Sequence, residues 1–482
     1  MNTYSHFYIN GQWQLPVTNG NRIEVTNPAN GKCIAITASA SADDVDRAVA
    51  SAKQAFASWS TTSAAQRRHF INAIADEMQQ RAAELTAAIS DSMGCPYNLT
   101  RKMQVQDSID AFRQFADMTD YVEQTEAFPG GQHHRHAIGV CVLINPWNYP
   151  LSQLVGKLGP ALATGCTVVV KPSEQTPLQD LIIAEICDKV GLPAGVFNLL
   201  TGYGSQIGTH LCSHPDVDMV SFTGSTAAGV SVAQAAAPSV KRVCQELGGK
   251  SALIITDDAD LEQAVAFGVH DVMTNSGQTC SALTRMLVPI SHYQQVLDIA
   301  RDIANSYTVG DPRSEHTTMG PLSSTQQQQR VIDYIQRGID EGARLIVGGV
   351  ELPSELQHGA YVMPTIFADV SNDMTIAQEE IFGPVLCIIG YQSTQQAIEI
   401  ANDSAYGLAS AVYAANTADA LNIGKQLRAG QCYLQGHYFN TYGAFGGFKQ
   451  SGNGREWGVE GLREYIELQA IFCQTSDMDR PS

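Results

Sequence analysis

Four short runs of β-branched and other apolar residues, spaced about 20 to 30 residues apart, constrain the fold of this chain most strongly. They cover residues 140–144, 167–170, 196–200 and 219–222, and helical stretches separate them. A run with the stretch that follows it has the length of a βα unit. Strands connected in this way are parallel, and helices cover both faces of their sheet. The sequence therefore predicts a parallel sheet that binds its ligand at the carboxyl ends of the strands.

Other segments flank this pattern. A second α/β pattern runs from about residue 250 to 450, beginning with the apolar run 252–255 and including a strand and turn at 342–349. The first ~120 residues are predicted to be rich in helix, with Ser41 as one helix N-cap. The tail at 464–475 alternates apolar and polar residues, which predicts a strand outside both α/β patterns.

Composition excludes several classes of protein. The 482 residues are 44% hydrophobic and 16% charged, as expected of a chain with a large packed core. The formal net charge of −19 disfavours nucleic acid or an anionic membrane as the main partner. Eleven cysteines without a Cys-x-x-Cys pair are typical neither of a disulfide scaffold nor of a structural metal site. With no secretory signal or apolar run of membrane-spanning length visible, we expect a cytoplasmic protein.

Three polar side chains could take part in catalysis by a nucleophile. Cys280 lies in a polar, glycine-containing stretch, a setting that favours the reactive thiolate, although a lone cysteine is more often a small buried hydrophobe. Glu246 follows a predicted strand and could act as a base in a cleft, or remain a solvated loop acid. Asn148 follows the strand at 140–144. It could donate to an oxyanion, or form an Asx turn before a helix that opens at Pro150.

Three further segments could be read as binding sites, and each has a simpler alternative. The turn at 222–226 leaves a strand and enters a helix, so its N–H groups could bind a pyrophosphate, or it could be an ordinary tight turn. The stretch 248–251 resembles the end of a P-loop, but Cys244 stands where a glycine is needed, which excludes that motif. His133, His134 and His136 are interpreted as part of a polar hairpin rather than as a metal site.

Seven motifs, all in the same order, resemble those of the aldehyde dehydrogenase superfamily, at 146–150, 171–174, 222–226, 246–250, 277–280, 379–385 and 445–452. The resemblance extends from about Tyr8 to Ile471, and the 34 positions from Glu246 to Cys280 match the family's usual spacing. It implies a Rossmann-like parallel-sheet domain that binds a dinucleotide, an α/β catalytic domain and a small β oligomerisation arm. The corresponding boundaries are 1–117 with 138–248, 249–449, and 118–137 with 450–482. A homodimer or homotetramer is implied as well.

The resemblance also implies roles for individual residues. Cys280 corresponds to the nucleophile, Glu246 to the general base, Asn148 to the oxyanion donor and Lys157 to a further catalytic residue. The implied cofactor-binding residues are Trp147, Lys171, Ser173, Glu174, Phe222, Gly224, Ser225, Leu247, Gln327, Glu380 and Phe382. The implied substrate-binding residues are Tyr149, Gln153, Gly156, Phe439 and Phe445.

The implied reaction is oxidation of an aldehyde to the carboxylic acid with NAD⁺, through a thiohemiacetal and a thioester on Cys280. Glu246 favours hydrolysis of that thioester over transfer to coenzyme A. Glu174 favours NAD, because a carboxylate accepts hydrogen bonds from a ribose 2′-hydroxyl and repels a 2′-phosphate, although NADP is possible. The alternatives are an NADP-linked semialdehyde dehydrogenase and a non-catalytic binding protein with the same fold.

Departures from the family's motifs bear on the substrate. The stretch at 433–440 lacks the asparagine usual near Gln435, and Ala444 replaces a usual proline. Gly156 stands where the family often has an aromatic residue, which predicts a wider tunnel. No Arg or Lys clearly stands where it would bind a substrate carboxylate. We therefore expect an uncharged aliphatic or aromatic aldehyde.

Overall fold

A computed structural model describes residues 2–18 and 22–472. Its strands are, in chain order, β1 (Asn2–Tyr4), β2 (Phe7–Ile9), β3 (Gln12–Gln14), β4 (Arg22–Asn27), β5 (Lys32–Ala38), β6 (Glu126–Phe128), β7 (Gly131–Ala137), β8 (Val140–Ile144), β9 (Thr167–Lys171), β10 (Phe197–Leu199), β11 (Met219–Thr223), β12 (Arg242–Glu246), β13 (Ala252–Ile255), β14 (Arg285–Pro289), β15 (Arg344–Val347), β16 (Thr365–Ala368), β17 (Val385–Tyr391), β18 (Ala409–Tyr413), β19 (Gln431–Leu434), β20 (Gly452–Asn453) and β21 (Ile466–Phe472).

The α-helices are, in the same order, α1 (Ala42–Trp59), α2 (Ala64–Gln80), α3 (Ala82–Met93), α4 (Tyr97–Leu99), α5 (Asp107–Asp117), α6 (Pro150–Thr164), α7 (Leu178–Lys189), α8 (Gly204–Ser213), α9 (Thr226–Ala236), α10 (Leu261–Met273), α11 (Tyr293–Asn305), α12 (Thr325–Asp340), α13 (Thr375–Gln378), α14 (Thr394–Asn402), α15 (Thr417–Gly424) and α16 (Gly458–Arg463). None of these helices is both long enough and apolar enough to span a bilayer.

The first large sheet has the order β20-β12-β11-β8-β9-β10-β2-β3. Its five central strands, β12 to β10, are parallel, and antiparallel strands close both edges. Alternate residues of β8 enter two different core clusters, with α6 and α7 on one face and α1, α8 and α9 on the other. The four predicted strands and the coverage of both faces are confirmed. Because the central strands are parallel, their carboxyl ends bring residues 145–148, 172–174, 224–225 and 246–247 to one edge.

The second large sheet has the order β15-β16-β17-β14-β13-β18-β19 and is parallel except at β15. Its two faces again bury alternate residues, against α10 and α11 on one side and α12 to α15 on the other. The predicted strands at 252–255 and 342–349 are confirmed as β13 and β15. Cys280 lies on the connection between α10 and β14.

A small antiparallel sheet, β21-β7-β6, stands apart from both. The predicted tail strand is confirmed for 466–472, whereas residues 473–475 lie outside the described part of the chain. The histidine cluster lies on β7 of the β6–β7 hairpin, as interpreted from the sequence. The end of the chain also contributes β20 to the first large sheet. The domain boundaries given above stay a prediction.

The expectation of a helix-rich N-terminal segment is wrong for residues 2–18 and 22–38, which contain β1 to β5. β4 shows the physical reason, because Ile23 and Val25 are buried between exposed neighbours, the alternation of a half-buried strand. From Ala42 onward the helices are present. Ser41 forms a capping box with Asp44 at the start of α1, which confirms the predicted cap.

Candidate active site

Three segments interlock around Cys280 through glycines that leave no room for a side chain. A Cβ on Gly277 would lie 2.0 Å from the Gly383 carbonyl oxygen, and one on Gly249 would lie 2.4 Å from the Cys280 carbonyl oxygen. A Cβ on Gly248 would lie 2.4 Å from Oε2 of Glu380. The segments that carry the predicted nucleophile, base and cofactor clamp are therefore held together by backbone contact, which fixes their relative position.

The nucleophile loop has an unusual backbone. Asn275, Ser276 and Gly277 adopt φ angles of 53°, 56° and 73°, so three consecutive residues lie in the left-handed region. The loop is anchored by buried hydrogen bonds: Ser276 donates to the Gly320 carbonyl, and Ser323 donates its backbone N–H to the Gln278 side chain. Strained backbone that is held by its surroundings is common at functional sites.

Cys280 is half-buried, and its pKa is raised above the ordinary thiol value. Burial is the main cause, and the negative charges of Glu380, Glu246 and Glu456 add to it. The expectation that its surroundings favour the thiolate is therefore wrong for the protein alone. The flanking residues are polar in sequence, but the folded chain buries the sulfur and places carboxylates around it.

Glu246 ends β12 and is buried. Neither of its carboxylate oxygens has a hydrogen-bond partner among the described residues. Burial raises the pKa of Glu246 well above its usual value, and the charge of Glu456 raises it further, while Lys157 and Arg455 oppose the shift. The alternative of a solvated loop acid is thus excluded. A buried carboxyl group with a raised pKa has the properties of a general base that works near neutral pH.

A buried ion pair stands next to Glu246. Nζ of Lys157, on α6, lies 2.8 Å from Oε1 of Glu456, with the two side chains 0% and 2% exposed. The same ammonium donates to Oγ1 of Thr223 at 2.7 Å and to Oε1 of Gln153 at 3.2 Å. Gln153 therefore binds Lys157. The network connects α6, the end of β11 and the C-terminal segment.

Asn148 is buried against the nucleophile loop. Its Nδ2 donates to the Gln278 carbonyl oxygen at 2.9 Å, and Nδ2 of Asn275 donates back to the Asn148 carbonyl oxygen at 3.0 Å. The amide is therefore oriented by the Cys280 loop, and the alternative of an Asx turn is not what its side chain forms. α6 begins at Pro150, as expected. An amide fixed beside a nucleophile can donate its second proton to an oxyanion.

The edge formed by the carboxyl ends of β9 and β11 is suited to an anionic dinucleotide. Lys171 ends β9 and lies 3.4 Å from Oε2 of Glu174, and burial lowers the pKa of this lysine. Ser173 accepts the backbone N–H of residue 175. Ser225 caps the exposed first turn of α9, accepting the N–H of residue 228. Gly224 precedes this cap. The predicted passage from strand through glycine turn into helix is confirmed.

Phe222 and Leu247 lie in the core beneath α9. Both side chains are buried in the core on the α9 face of the sheet. A Cβ on Gly229 of α9 would lie 2.6 Å from Leu247, so the helix packs closely on this residue. Phe222 and Leu247 therefore position the turn from within the core.

The segment 380–382 contains the second group of residues predicted to bind the cofactor. Oε1 of Glu380 accepts the N–H of Gly249 at 3.0 Å, and burial raises the pKa of Glu380 to about 7. Phe382 packs edge-on against Trp147 with ring centroids 5.3 Å apart. Gln327 donates to the Phe382 carbonyl oxygen at 2.9 Å, so it holds this segment in place. Among the described residues no cluster of three His, Cys, Asp or Glu could hold a metal ion.

The aromatic residues predicted to bind the substrate make the following contacts. Tyr149 shares a 2.7 Å hydrogen bond with Thr279, the residue before the cysteine. Phe439 and Phe445 meet edge-on at 5.2 Å. Gln435 makes two hydrogen bonds to the backbone of residue 414. Its side chain is thereby held at the end of β18.

The prediction that Gly156 widens the tunnel is wrong. A Cβ on Gly156 would lie 2.9 Å from Cζ2 of Trp457, so the indole ring occupies the space that the small residue leaves. Trp457 and Glu456 were missed in the sequence because neither lies in a recognisable motif position. The signal that could have found Glu456 is a carboxyl residue four positions after the end of the 445–452 motif.

The sequence model of the Aldehyde dehydrogenase family matches residues 15–471. A 3-succinoylsemialdehyde-pyridine dehydrogenase from Pseudomonas sp is 46% identical over 473 residues, which are 98% of this chain and 99% of the relative.

Two solved structures are similar along almost the whole chain. A mutant of aldehyde dehydrogenase C from Pseudomonas syringae, in complex with NAD⁺ and octanal, has a TM-score of 0.95 and 46% identity, covering 97% of this chain and 96% of that one. A mutant of the P. syringae indole-3-acetaldehyde dehydrogenase AldA, in complex with NAD⁺ and IAA, has a TM-score of 0.94 and 38% identity, covering 98% and 96%.

Proposed function

The chain belongs to the aldehyde dehydrogenase family, and from this premise we propose that Cys280, Glu246 and Asn148 perform its NAD⁺-dependent oxidation of aldehydes to carboxylic acids. The observation that carries the assignment is the carboxyl group of Glu246. It is buried without a hydrogen-bond partner among the described residues, and it is close enough to Cys280 for its charge to raise the pKa of the thiol. Exchange of a proton between this base and the nucleophile is part of the proposal.

The residues at the carboxyl edge of the first sheet fit NAD⁺. The exposed first turn of α9 offers backbone N–H groups and the positive end of a helix dipole to a pyrophosphate. Glu174, which is partly exposed beside Lys171, can accept hydrogen bonds from ribose hydroxyls. NAD⁺ supplies the hydride acceptor when it is bound.

Carbon–sulfur bond formation begins the proposed reaction. The Cys280 thiol transfers its proton to the Glu246 carboxylate, and the sulfur attacks the aldehyde carbon. The carbonyl oxygen becomes an oxyanion, which accepts hydrogen bonds from Nδ2 of Asn148 and from the Cys280 backbone N–H. Loss of one such donor typically costs about 3 to 4 kcal/mol of barrier. After the hydride has left the carbon, the acyl group remains on the sulfur as a thioester.

Hydrolysis completes the proposed reaction. Glu246 first releases to solvent the proton that it took from the thiol. It then takes a proton from a water molecule, whose oxygen attacks the thioester, and returns that proton to the departing Cys280 sulfur, so that the carboxylic acid leaves and the thiol is restored. A raised pKa makes Glu246 a stronger base than an exposed carboxylate. The Lys157–Glu456 pair adjusts this basicity, because Glu456 raises the pKa of Glu246 and Lys157 lowers it.

An uncharged aliphatic or aromatic aldehyde is the proposed substrate. Support comes from the aromatic residues implied for substrate binding, Tyr149, Phe439 and Phe445, which offer apolar ring surface. Among the relatives, one structure holds octanal and another is named for indole-3-acetaldehyde, and both of these aldehydes are uncharged. Apolar pockets of this kind select by size and shape.

The test is a panel of aldehydes assayed with NAD⁺ and NADP⁺ in turn, read as absorbance of the reduced cofactor. We expect turnover of uncharged aldehydes with NAD⁺, its loss in Cys280→Ala, and its retention in Cys432→Ala, a matched control at another half-buried cysteine. Activity that survives Cys280→Ala would refute the nucleophile. Efficient turnover of a dicarboxylic semialdehyde with weak use of uncharged aldehydes would refute the substrate class.

Assembly into a homodimer or homotetramer belongs to the same proposal. β21 is an edge strand of its sheet, and Leu468 and Phe472 on it are 57% and 77% exposed. An apolar edge strand is a ready site for pairing with another chain. Light scattering coupled to gel filtration should give two or four times the chain mass of 51.9 kDa. We also place the enzyme in the reducing cytoplasm, since the mechanism needs Cys280 as a free thiol.

A further inference from the structure

Two consecutive residues of α6 meet two consecutive residues of the C-terminal segment. Lys157 forms an ion pair with Glu456, and the preceding Gly156 faces the indole ring of Trp457. One pair complements charge and the other complements shape. The position of Trp457 is therefore determined by the same contact that places Glu456 beside Glu246.

Trp457 is the centre of an aromatic cluster. Its ring stacks on Phe115 at 5.9 Å with an interplanar angle of 23°, and it meets Phe439 at 6.2 Å. Phe439 in turn contacts Phe445. Trp457 is only 4% exposed, and its φ of 63° lies in the left-handed region, which a bulky side chain adopts rarely. The surrounding contacts therefore keep Trp457 in a backbone conformation that a tryptophan does not favour.

The cluster borders the reacting groups. A Cβ on Gly446, the residue after Phe445, would lie 2.8 Å from Oε1 of Glu246. Cys280 and Phe439 both pack against the core cluster that contains Trp457. The indole ring thus contacts Phe439 and faces Gly156, two of the residues predicted to bind the aldehyde.

We propose that Trp457 is a specificity-determining residue, whose indole ring fills the space left by Gly156 and limits the width of the aldehyde pocket. This inference rests on the proposed function. The enzyme then favours slim uncharged aldehydes, with an unbranched chain or a single ring, over aldehydes with a branched chain or two fused rings. Specificity then depends on a pair of residues of complementary size, the small Gly156 and the large Trp457, which are 301 positions apart in the chain.

The test compares kcat/KM for matched pairs of aldehydes, hexanal with 2-ethylhexanal and benzaldehyde with 2-naphthaldehyde. Trp457→Leu should raise the bulky-to-slim ratio at least about tenfold, the scale at which apolar pockets discriminate by volume. The KM for NAD⁺ should stay unchanged. Trp13→Leu, at a tryptophan of β3 that packs on Tyr8, is the matched control and should leave the ratio unchanged.

The complementary sizes of Gly156 and Trp457 are tested by exchanging them. Gly156→Phe alone should lose activity, because its side chain enters the space of the indole. The double variant Gly156→Phe/Trp457→Leu should regain activity and return the ratio toward that of the unchanged enzyme. A double variant with the ratio of Trp457→Leu alone would overturn the complementarity of the two sizes.

Folding is monitored by thermal melting. If Trp457→Leu does not fold, Trp457→Phe should shift the ratio in the same direction by a smaller factor. A folded variant whose kcat/KM falls equally for all four aldehydes would overturn the inference, since it would assign Trp457 a purely structural role. An unchanged enzyme that oxidises none of the four would instead contradict the proposed function.

Discussion

Replacement of Lys157 by methionine tests the buried ion pair beside Glu246. The perturbation removes an ammonium group that lies 2.8 Å from Oε1 of Glu456 and donates to Thr223 at 2.7 Å, in a place where Lys157 and Glu456 are almost fully buried. The Glu456 carboxylate then stays buried without its partner. Breaking a buried pair from one side typically costs about 3 to 5 kcal/mol.

The assay is thermal unfolding followed by circular dichroism at constant protein concentration. A loss of this size lowers Tm by roughly 6 to 20 °C, at about 2 to 4 °C for each kcal/mol in domains of 150–250 residues. The double variant Lys157→Met/Glu456→Gln should regain most of the lost Tm, because no unpaired charge remains in the core. A decrease of less than about 2 °C for Lys157→Met, or a double variant that melts lower than the single one, would refute the role of the pair.

Three further predictions concern catalysis. Glu246 must be ionised to accept a proton, so activity is present above its pKa and is lost as the pH falls through it. This acidic limb of the pH profile should move to lower pH in Glu456→Gln, because that variant removes a charge that raises the pKa of Glu246. It should move to higher pH in Lys157→Met, because that variant removes a charge that lowers the same pKa. If the acidic limbs of the two variants move in the same direction, or do not move, the Lys157–Glu456 pair does not set the pKa of Glu246. Asn148→Ala should lower kcat by about 10²- to 10³-fold with the KM for NAD⁺ unchanged, whereas a decrease below tenfold would remove it as an oxyanion donor. Glu174→Ser should raise kcat/KM for NADP⁺ relative to NAD⁺, and an unchanged ratio would show that this carboxylate does not select the cofactor.

Much of the fold could be predicted from local periodicity. The strands β8 to β11 consist mostly of apolar residues because they are buried on both faces, and this made them recognisable as strands of a parallel sheet. The strands β1 to β3 are three residues each, which is too short for a periodic signal. The sequence prediction therefore did not recognise them as strands and included them in the segment expected to be rich in helix.

The site divides in the same way. Cys280, Glu246 and Asn148 could be found because each stands in a motif whose spacing along the chain is informative. Glu456 and Trp457 could not, because their importance comes from contacts with α6 about 300 positions away. The direction of the pKa shift of Cys280 was also out of reach, since it depends on three-dimensional burial and on the carboxylates that folding gathers around the sulfur.

Intact-protein mass spectrometry of the Glu246→Gln variant tests the central claim most directly. After mixing with NAD⁺ and benzaldehyde, the variant should form close to one equivalent of reduced cofactor per site and then stop. It should do so more slowly than the unchanged enzyme, because the Cys280 thiol must then give its proton to solvent instead of Glu246. Its mass should rise by that of one benzoyl group in place of a hydrogen, located on the peptide that contains Cys280. Continued steady-state turnover, or reduction of the cofactor without an acyl group on Cys280, would contradict the assignment of Cys280 as nucleophile and Glu246 as the base for hydrolysis.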